Sequence, residues 1–349
     1  MFINSFNYFR GIAIVFIVAA HCYEISGWWI NTFPEKVFCA LITGGTALFV
    51  FISGFLFHHV FYKKFNYKNF IAKKFKNVYS PYLILSSVPL VLYVFVWRSG
   101  PFGEYFFNLH GNFYLEYIRP FFLYLWTGGT LTAYWYITFI MVVFLASPVF
   151  VKFIQLPRSI QVFGILATLA VAMVIHRPVF NFSVFQSVFY YLPVYLFGIF
   201  SSMNRNFIYT RLAGKEIHLF IPILILAIAQ VAFFNNWGNF HKPPFVITVP
   251  DINIVQKMIM CIFFMVVLQR LENRHVYLLN ETASASFAIF FIHPIVLEIL
   301  LRRHFVAPTK TLGILSWAIT VCCLTGVSYI IARIFKRLLG DKSRLFIGW

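Results

Sequence analysis

The sequence predicts an all-α, polytopic integral membrane protein with about ten transmembrane helices. Three observations support this prediction: 61% of the 349 residues are hydrophobic, only 11% are charged, and the mean hydropathy is +0.81. A soluble domain of this size would carry roughly a quarter charged residues. Because spanning segments use up the length, we expect a single membrane-embedded domain over 1–349 and no separate soluble domain.

Seven stretches contain no charged residue over about the 20 residues that a spanning helix needs. They are Val37–Phe57, Val78–Trp97, Pro120–Val151, Ser159–Ile175, Val179–Met203, Leu219–Phe240 and Thr311–Ala332. The third is too long for one helix. We expect the pair Gly128-Gly129 to separate a short membrane-dipping segment, Ile118–Thr127, from a true span at Leu131–Phe153.

Three further candidate spans are interrupted by polar groups, and they bring the predicted count to ten. They are Tyr8–Trp29, Ile252–Leu271 with Lys257, and Thr282–Leu301 with His293, Pro294 and Glu298. An ionisable group inside a membrane is costly, so it normally faces a wet or protein-lined cavity. The interrupted spans are therefore the candidates for function.

The net charge of +18 could indicate nucleic-acid binding, but the distribution of the basic residues favours another explanation. Most of them fall in alternate loops, as the Lys and Arg of cytoplasmic loops do. These predicted inner loops are 61–77, 154–158, 204–216, 270–281 and 333–349. The charge therefore predicts a topology with both termini cytoplasmic, and no nucleic-acid partner.

Cysteine spacing and the amino terminus bound the function further. None of the cysteines has metal-ligand spacing, so we predict no metal site and no disulfide framework. The amino terminus lacks the basic region of a cleaved signal peptide, so we expect the first apolar segment to be retained. The five cysteines are Cys22, Cys39, Cys261, Cys322 and Cys323.

The first inner loop, 61–77, carries six lysines among aromatic residues and no acidic residue. Juxtamembrane lysines bind anionic lipid headgroups, each contributing about 1 kcal/mol. The same segment could instead hold a polyanion such as a nucleotide or coenzyme A. No glycine-rich phosphate loop accompanies it, and the residues alone leave both interpretations open.

The first span carries Arg10, His21 and Glu24, which would share one face of a continuous helix. His21 is the candidate general base, because a neutral imidazole accepts a proton near physiological pH. Glu24 could orient its ring, and the guanidinium of Arg10 suits a phosphate. The alternatives are a structural His21–Glu24 pair and a snorkelling Arg10.

Other polar residues could line the same site. Ser53-Gly54 permits close helix approach, and Ser53 could also donate a hydrogen bond there. The sequence His293-Pro294 breaks a helix and frees a carbonyl, which often marks a cavity wall.

Arg10 and His21, separated by ten residues, resemble the signature of the first helix in the acyltransferase-3 family of membrane proteins. Later segments resemble further landmarks of that family in the same order. They are FVFISGFLF (49–57), KKFKNVYSPY (73–82), YWYITF (134–139), VYLFGIF (194–200) and FAIFFIHPIV (287–296). The ordered set covers nearly the whole chain.

The resemblance implies transfer of an acyl group, usually acetyl, from cytosolic acyl-CoA to a hydroxyl of a surface glycan. It implies that His21 is catalytic and that Arg10 contacts the coenzyme. Lys73, Lys74 and Lys76 stand where the family favours arginines, which keeps the charge but loses bidentate phosphate geometry. The expected setting is a bacterial inner membrane, with lipid and a polysaccharide, lipopolysaccharide or oligosaccharide acceptor as partners.

In the predicted reaction, coenzyme A phosphates rest against Arg10 and the 63–76 lysines. His21 deprotonates an acceptor hydroxyl that arrives from the outer side, while Glu24 holds the ring. Direct transfer and an acyl-histidine intermediate both remain open. Candidate donors to the oxyanion are Ser53, Tyr134 and Trp135.

Two other function classes fit part of the sequence. Interrupted helices with midplane polar groups also suit a transporter or flippase for an anionic glycan or lipid. Internal repeat symmetry would favour transport, and we find none. A non-catalytic membrane subunit would leave Arg10, His21 and Glu24 without a role. The outer loops 99–117 and 236–251, rich in aromatics, Asn and Gly, suit sugar contact or a plain interfacial belt.

Overall fold

A computed structural model describes residues 3–108, 111–246, 248–305, 307 and 312–349. Within these ranges the chain is helical and has no β-strand, apart from one isolated bridge between Arg177 and His241. The all-α class is therefore confirmed. Parts of three predicted segments lie outside the described residues: 109–110 and 247 in the outer loops, and Thr311 at the start of the last predicted span.

Nineteen α-helices run along the described chain. They are α1 Asn4–Ala20, α2 Tyr23–Ser26, α3 Phe33–Ile42, α4 Thr46–Leu56, α5 Tyr67–Lys74, α6 Ser80–Val91, α7 Gly103–Phe106, α8 Arg119–Thr127, α9 Trp135–Leu145, α10 Ser147–Gln155, α11 Arg158–Ile175, α12 Val184–Met203, α13 Arg205–Leu212, α14 Glu216–Phe234, α15 Asn253–Gln269, α16 Tyr277–Ser284, α17 Ser286–Arg302, α18 Ile314–Leu339 and α19 Ser343–Phe346. Single π-turns lie at Phe57–Phe61, Phe75–Tyr79, Leu92–Val96 and Tyr114–Ile118, and 3₁₀ turns at Tyr62–Lys64, Val179–Asn181 and Gly340–Lys342.

Six helical segments of the described chain are long and apolar enough to cross a membrane, or eight if each bent pair counts as one span. The bent pairs are α9 with α10, at 55°, and α16 with α17, at 71°. Two shorter apolar helices, α1 and α15, each have 17 residues. The protein is thus a multi-pass membrane protein, and the count of ten stays a prediction.

Helix α1 lies at the centre of the bundle, where it packs against α4, α15, α16, α17 and α18. Its first turn is anchored because the backbone N–H groups of Asn4 and Ser5 donate to the Glu272 carboxylate at 2.9 and 2.8 Å. In the same turn the ring of Phe6 stacks on that of Phe55 in α4, with centroids 3.6 Å apart. The burial of this helix fixes the positions of the polar residues that it carries.

Helices α4 and α12 approach each other closely through two glycines. A Cβ on Gly54 would lie 2.1 Å from the Tyr195 carbonyl oxygen, and one on Gly198 would lie 2.2 Å from the Phe51 carbonyl oxygen. Small residues let membrane helices touch backbone to backbone. The expected close approach at Ser53-Gly54 is therefore present.

Candidate active site

A cavity of about 920 Å³ gathers most of the basic residues that the sequence assigned to the coenzyme. Six basic side chains and one acidic side chain, Asp341, line it. The basic residues, which define what we call the basic cavity, are Arg10, Lys73, Lys74, Lys76, Lys342 and Arg344. The fold thus brings α1, the end of α5 with the π-turn after it, and the carboxyl-terminal turns together around a cavity with excess positive charge.

Arg10 reaches this cavity from the middle of α1. Its guanidinium donates to the hydroxyl of Ser286 at 3.0 Å, where α17 begins. Among the described residues no carboxylate forms an ion pair with it. A hydroxyl partner leaves most of the guanidinium donors available, so Arg10 can bind an anion in the cavity.

The three lysines of the 73–76 segment differ in setting. Lys73 and Lys76 are exposed, whereas Lys74 is half-buried against three phenylalanine rings. Its ammonium lies 4.4 Å from the centroid of Phe144 and 4.6 Å from that of Phe61. Cation–π contacts fix the Lys74 charge in place, while the charges of Lys73 and Lys76 remain adjustable.

Lys342 and Arg344 were missed in the sequence analysis. They lie more than 300 residues after Arg10, in the 3₁₀ turn and the short α19 that follow α18. The sequence shows only a basic carboxyl terminus, which a topology signal explains equally well. Their membership of the basic cavity depends on the return of the chain end to α17, where Gly348 packs against Phe287.

His21 lies at the opposite end of α1 from Arg10, as the residue that caps the helix. Eleven residues of helix separate the two by about 16 Å, at 1.5 Å per residue. The His21 side chain is half-buried and lines two smaller cavities, of about 440 and 250 Å³, which we call the His21 cavity and the Glu24 cavity. His21 therefore does not line the basic cavity.

Glu24 does not continue the stripe of Arg10 and His21, so the predicted continuous helix is wrong here. Helix α1 ends at Ala20, and Glu24 is exposed on the one-turn helix α2. Both residues line the Glu24 cavity, yet the described structure has no hydrogen bond between them. The break lies at His21 and Cys22, and α2 then ends after one turn at Gly27, which adopts a left-handed conformation.

His293 is the polar neighbour that the structure places beside His21. The ring centroids lie 5.7 Å apart, and His293 is fully buried. Its Nδ1 lies 2.8 Å from the Ile289 carbonyl oxygen, and its Nε2 has no hydrogen-bond partner. Because a carbonyl can only accept, Nδ1 carries the proton and Nε2 presents a free lone pair. His293 is not among the residues that line the basic, His21 and Glu24 cavities, so its place at a cavity wall stays a prediction.

The His21 cavity also draws on segments that the sequence analysis treated as loops. Phe102 comes from the 99–117 loop, and Asn239 and His241 come from the 236–251 loop. Trp135 and Arg177 complete one side of it. No periodicity or motif pointed to Arg177, because its role depends on three segments that are distant in the sequence.

The predicted second span contains a break that the sequence did not reveal. Helix α3 ends at Ile42 and α4 begins at Thr46, and the residues between them line the His21 cavity. Buried Lys257 donates to the carbonyls of Ala40 and Leu41 at 3.0 and 2.8 Å, so it satisfies the open end of α3. Lys257 thus has a structural partner, as helix carboxyl ends favour a cation.

The three side chains predicted to donate a hydrogen bond to the oxyanion lie in three different parts of the structure. Ser53 lines the basic cavity, and Trp135 lines the His21 cavity. Tyr134 is fully buried and donates to the Phe291 carbonyl at 2.8 Å. Of the three, Trp135 is the one that shares a cavity with His21.

A wall of aromatic rings stands between the basic cavity and the His21 cavity. Phe49, Tyr136 and Phe290 line the basic cavity, with ring centroids of Tyr136 at 6.4 Å from Phe49 and 5.6 Å from Phe290. The same helices also reach the His21 cavity, through Thr46, three residues before Phe49 on α4, and Trp135, directly before Tyr136 on α9. The two cavities are therefore built on the same two helices.

Comparison with known families matches residues 3–333 to the acyltransferase domain family that the sequence resembles. Comparison with curated proteins and comparison with solved structures each gave no match. The family match includes both Arg10 and His21 and every cavity described above except the carboxyl-terminal contribution to the basic cavity.

Proposed function

The chain belongs to the acyltransferase-3 family, and we propose that this membrane acyltransferase transfers an acyl group, usually acetyl, from acyl-CoA to a hydroxyl of a cell-surface carbohydrate. The observation that carries this proposal is the pairing of two sites on one helix: Arg10 in the basic cavity and His21 in a separate cavity. An acyl-CoA has charged phosphates at one end and a reactive thioester at the other, so it needs one site for each end.

The basic cavity would hold the phosphates of coenzyme A. Six basic side chains around about 920 Å³ supply more positive charge than a single lipid phosphate needs. Arg10 would contribute bidentate contacts, and the lysines would contribute charge. The pantetheine arm would then pass the wall of Phe49, Tyr136 and Phe290 to bring the thioester to His21.

His21 would act as the general base in the transfer. Its imidazole takes the proton of the acceptor hydroxyl while the oxygen attacks the thioester carbonyl. The new C–O bond forms, the C–S bond breaks, and the coenzyme A thiolate leaves and takes up a proton. The acyl-histidine route has the same overall balance, with the C–N bond formed first and then broken. The amino end of α4, next to His21, favours the developing negative charge.

The ring of His21 has two candidate orienting partners. Glu24, the predicted one, lines a cavity with His21 but is exposed and makes no hydrogen bond to it in the described structure. His293 presents a free Nε2 lone pair beside the His21 ring. A modest shift of either ring would let His21 donate to that nitrogen, so we favour His293 for this role.

The proposed setting is a bacterial inner membrane with both termini in the cytoplasm, where the basic cavity would meet cytosolic acyl-CoA. The His21 cavity would then open towards the outer side, where the acceptor glycan arrives. Its lining by Phe102, Trp135, Asn181, Asn239 and His241 combines aromatic rings with amide and imidazole groups. Such a combination suits a sugar, whose faces are apolar and whose edges are hydroxyls.

The first experiment compares acyl-CoA turnover by the purified protein in lipid for wild type, His21→Ala and the control His218→Ala. His218 is exposed on α14 and lines neither cavity. We expect the His21 variant to release coenzyme A at least about 100-fold more slowly, the usual contribution of a general base. The control should match wild type, and both variants should keep the wild-type unfolding temperature.

Equal turnover in the His21→Ala variant would remove that residue from catalysis. Absence of turnover in the wild type, with a range of acyl-CoAs and glycans supplied, would favour the second candidate function. That candidate is a transporter or flippase for an anionic glycan or lipid, supported by the broken helices α3–α4 and α16–α17. Movement of labelled glycan across proteoliposomes would then be measured.

A further inference from the structure

Arg177 occupies a fixed and buried position at the side of the His21 cavity. It follows the last turn of α11, and its backbone N–H donates to the Phe240 carbonyl at 3.3 Å while its own carbonyl accepts from Lys242 at 3.0 Å. The residue is only 4% exposed, and it lines the cavity together with His21. The backbone bridge therefore holds a guanidinium where the proposed transfer takes place.

The side chain of Arg177 is incompletely satisfied by protein groups. One guanidinium nitrogen donates to the Asn181 side chain at 3.1 Å, and the buried Nε has no partner. The guanidinium also lies 5.1 Å from the ring centroid of Trp135 and 5.9 Å from that of Tyr191. In the described structure no carboxylate forms an ion pair with it. A buried cation without a directly paired anion is costly, which points to a ligand that supplies one.

Asp251 is the nearby acidic group that interacts electrostatically with Arg177, but the two form no ion pair in the described structure. The buried carboxylate of Asp251 is engaged by the hydroxyl of Tyr190 and by the N–H of Asn253, both at 2.9 Å. The ammonium of Lys242 donates a hydrogen bond to the Val246 carbonyl, and this side chain adds positive charge to the region. The lining of the His21 cavity itself contains no Asp or Glu.

His241, which lines the cavity with Arg177, is neutral at pH 7, so Arg177 is the permanent charge of this cavity. Loss of hydration and the charge of Arg177 lower the pKa of His241 to about 4, so its imidazole is neutral at pH 7. Its Nδ1 donates to the Pro178 carbonyl at 2.7 Å, which leaves Nε2 as an acceptor for a sugar hydroxyl. The cavity thus combines one fixed cation with neutral polar groups and an aromatic ring.

We propose that Arg177 binds an anionic group on the acceptor, so that the acceptor is an acidic saccharide carrying a carboxylate or a phosphate. This inference rests on the proposed function and gives it a substrate class. A planar guanidinium with free donors matches either anion in bidentate geometry, and Trp135 offers a face for the sugar ring. The donor phosphates would bind elsewhere, because the basic cavity lies beyond the aromatic wall.

The test uses the purified full-length protein in lipid with three acceptors of equal length. They are an oligosaccharide that carries a uronic acid, its carboxyl-reduced neutral form, and a phosphorylated form. Wild type is compared with Arg177→Gln, with Arg177→Lys, which keeps the charge, and with the control Arg211→Gln, an exposed arginine that lines neither cavity. Binding is measured by calorimetry and transfer by steady-state kinetics.

We expect wild type to prefer a charged acceptor and Arg177→Gln to raise the KM for that acceptor by about ten-fold or more, the scale of one charge-assisted hydrogen bond. The KM for acyl-CoA should stay unchanged, the KM for the neutral acceptor should rise less than that for the charged acceptor, and Arg177→Lys should lie in between. The comparison of carboxylate with phosphate identifies the anion. Direct binding of the charged acceptor should persist in His21→Ala and be lost in Arg177→Gln.

Equal binding of charged and neutral acceptors by the wild type would overturn the inference while transfer remained. A raised KM for acyl-CoA in Arg177→Gln, with acceptor binding intact, would also overturn it by assigning Arg177 to the donor. If no acceptor were acylated by the wild type, the proposed transfer would fail. The calorimetric comparison would still decide whether Arg177 selects an anionic saccharide.

Discussion

The basic cavity and the His21 cavity hold charge in opposite ways. Four of the six basic residues of the first are exposed, namely Lys73, Lys76, Lys342 and Arg344. The second has one arginine, which is buried and held by a backbone bridge. A site that binds an anion through the summed charge of several exposed residues tolerates the loss of one of them, and its affinity falls as salt is added. A site built on one buried, fixed residue loses its affinity when that residue is replaced, and salt affects it little. The two ends of the proposed reaction should therefore respond differently to mutation.

The largest expected effect comes from a change that disrupts both cavities together. Helix α4 contributes Thr46 to the His21 cavity and Ser53 to the basic cavity, and its contact with α12 positions both. In Gly198→Ala the added methyl would lie 2.2 Å from the Phe51 carbonyl oxygen, so the backbones must separate. We expect a loss of about 3 kcal/mol of stability and raised KM values for donor and acceptor alike. Thermal unfolding in lipid and steady-state kinetics measure the two effects.

The matched control for this prediction is Gly326→Ala in α18, where an added Cβ would have no atom within 4 Å. A helical Gly→Ala change at an open position should be neutral or slightly stabilising. If both variants unfolded at the wild-type temperature, the backbone contact would not be what positions the cavities.

The second-largest expected effect is a change in the KM for one substrate that leaves the KM for the other unchanged. Arg10→Gln should raise the KM for acyl-CoA by about ten- to a hundred-fold, because the variant loses a charge-assisted phosphate contact from a half-buried position. The KM for the acceptor should not change. A variant in which the acceptor KM rose as much as the donor KM would contradict the assignment of the basic cavity to the coenzyme.

The third expected effect is on kcat, and it depends on which side chain orients the ring of His21. His293→Asn keeps a donor near Nδ1 but removes the Nε2 acceptor, so we expect a roughly ten-fold lower kcat and a shifted pH profile. His293→Gln places an amide near Nε2 and should restore part of the activity. Glu24→Gln should change kcat by less than about two-fold, as expected for an exposed group. The opposite ranking, with Glu24→Gln the slower enzyme, would restore the predicted role of Glu24.

The smallest effect concerns single exposed lysines. Lys76→Gln should raise the KM for acyl-CoA by only about two- to three-fold, because five other basic side chains remain around the cavity. Raising the salt concentration from 50 to 500 mM (roughly a three-fold shorter Debye length) should raise this KM more than the acceptor KM. If salt raised the KM for acyl-CoA and the KM for the acceptor equally, the basic cavity would not bind by summed exposed charge.

The sequence predicted the membrane class and the family correctly, because these depend on local composition and on short spacings, whereas the residues assigned to the coenzyme stay a prediction. The apolar stretches report spanning helices, and the Arg10 and His21 spacing lies on the unbroken helix α1. The family match over residues 3–333 confirms the resemblance. The failure at Glu24 has a local cause, because hydropathy does not show that the helix ends at Ala20 and restarts at Tyr23.

By itself, the sequence determined that this chain is a helical membrane protein of the acyltransferase-3 family with ionisable groups in its first segment, since hydrophobicity and spacing act along the chain. Only the tertiary structure decided which polar groups meet. It placed His293 beside His21, brought Arg177 to the same cavity and returned Lys342 and Arg344 to Arg10. The physical reason is that burial of a polar group must be compensated by partners from other segments, and packing alone selects them.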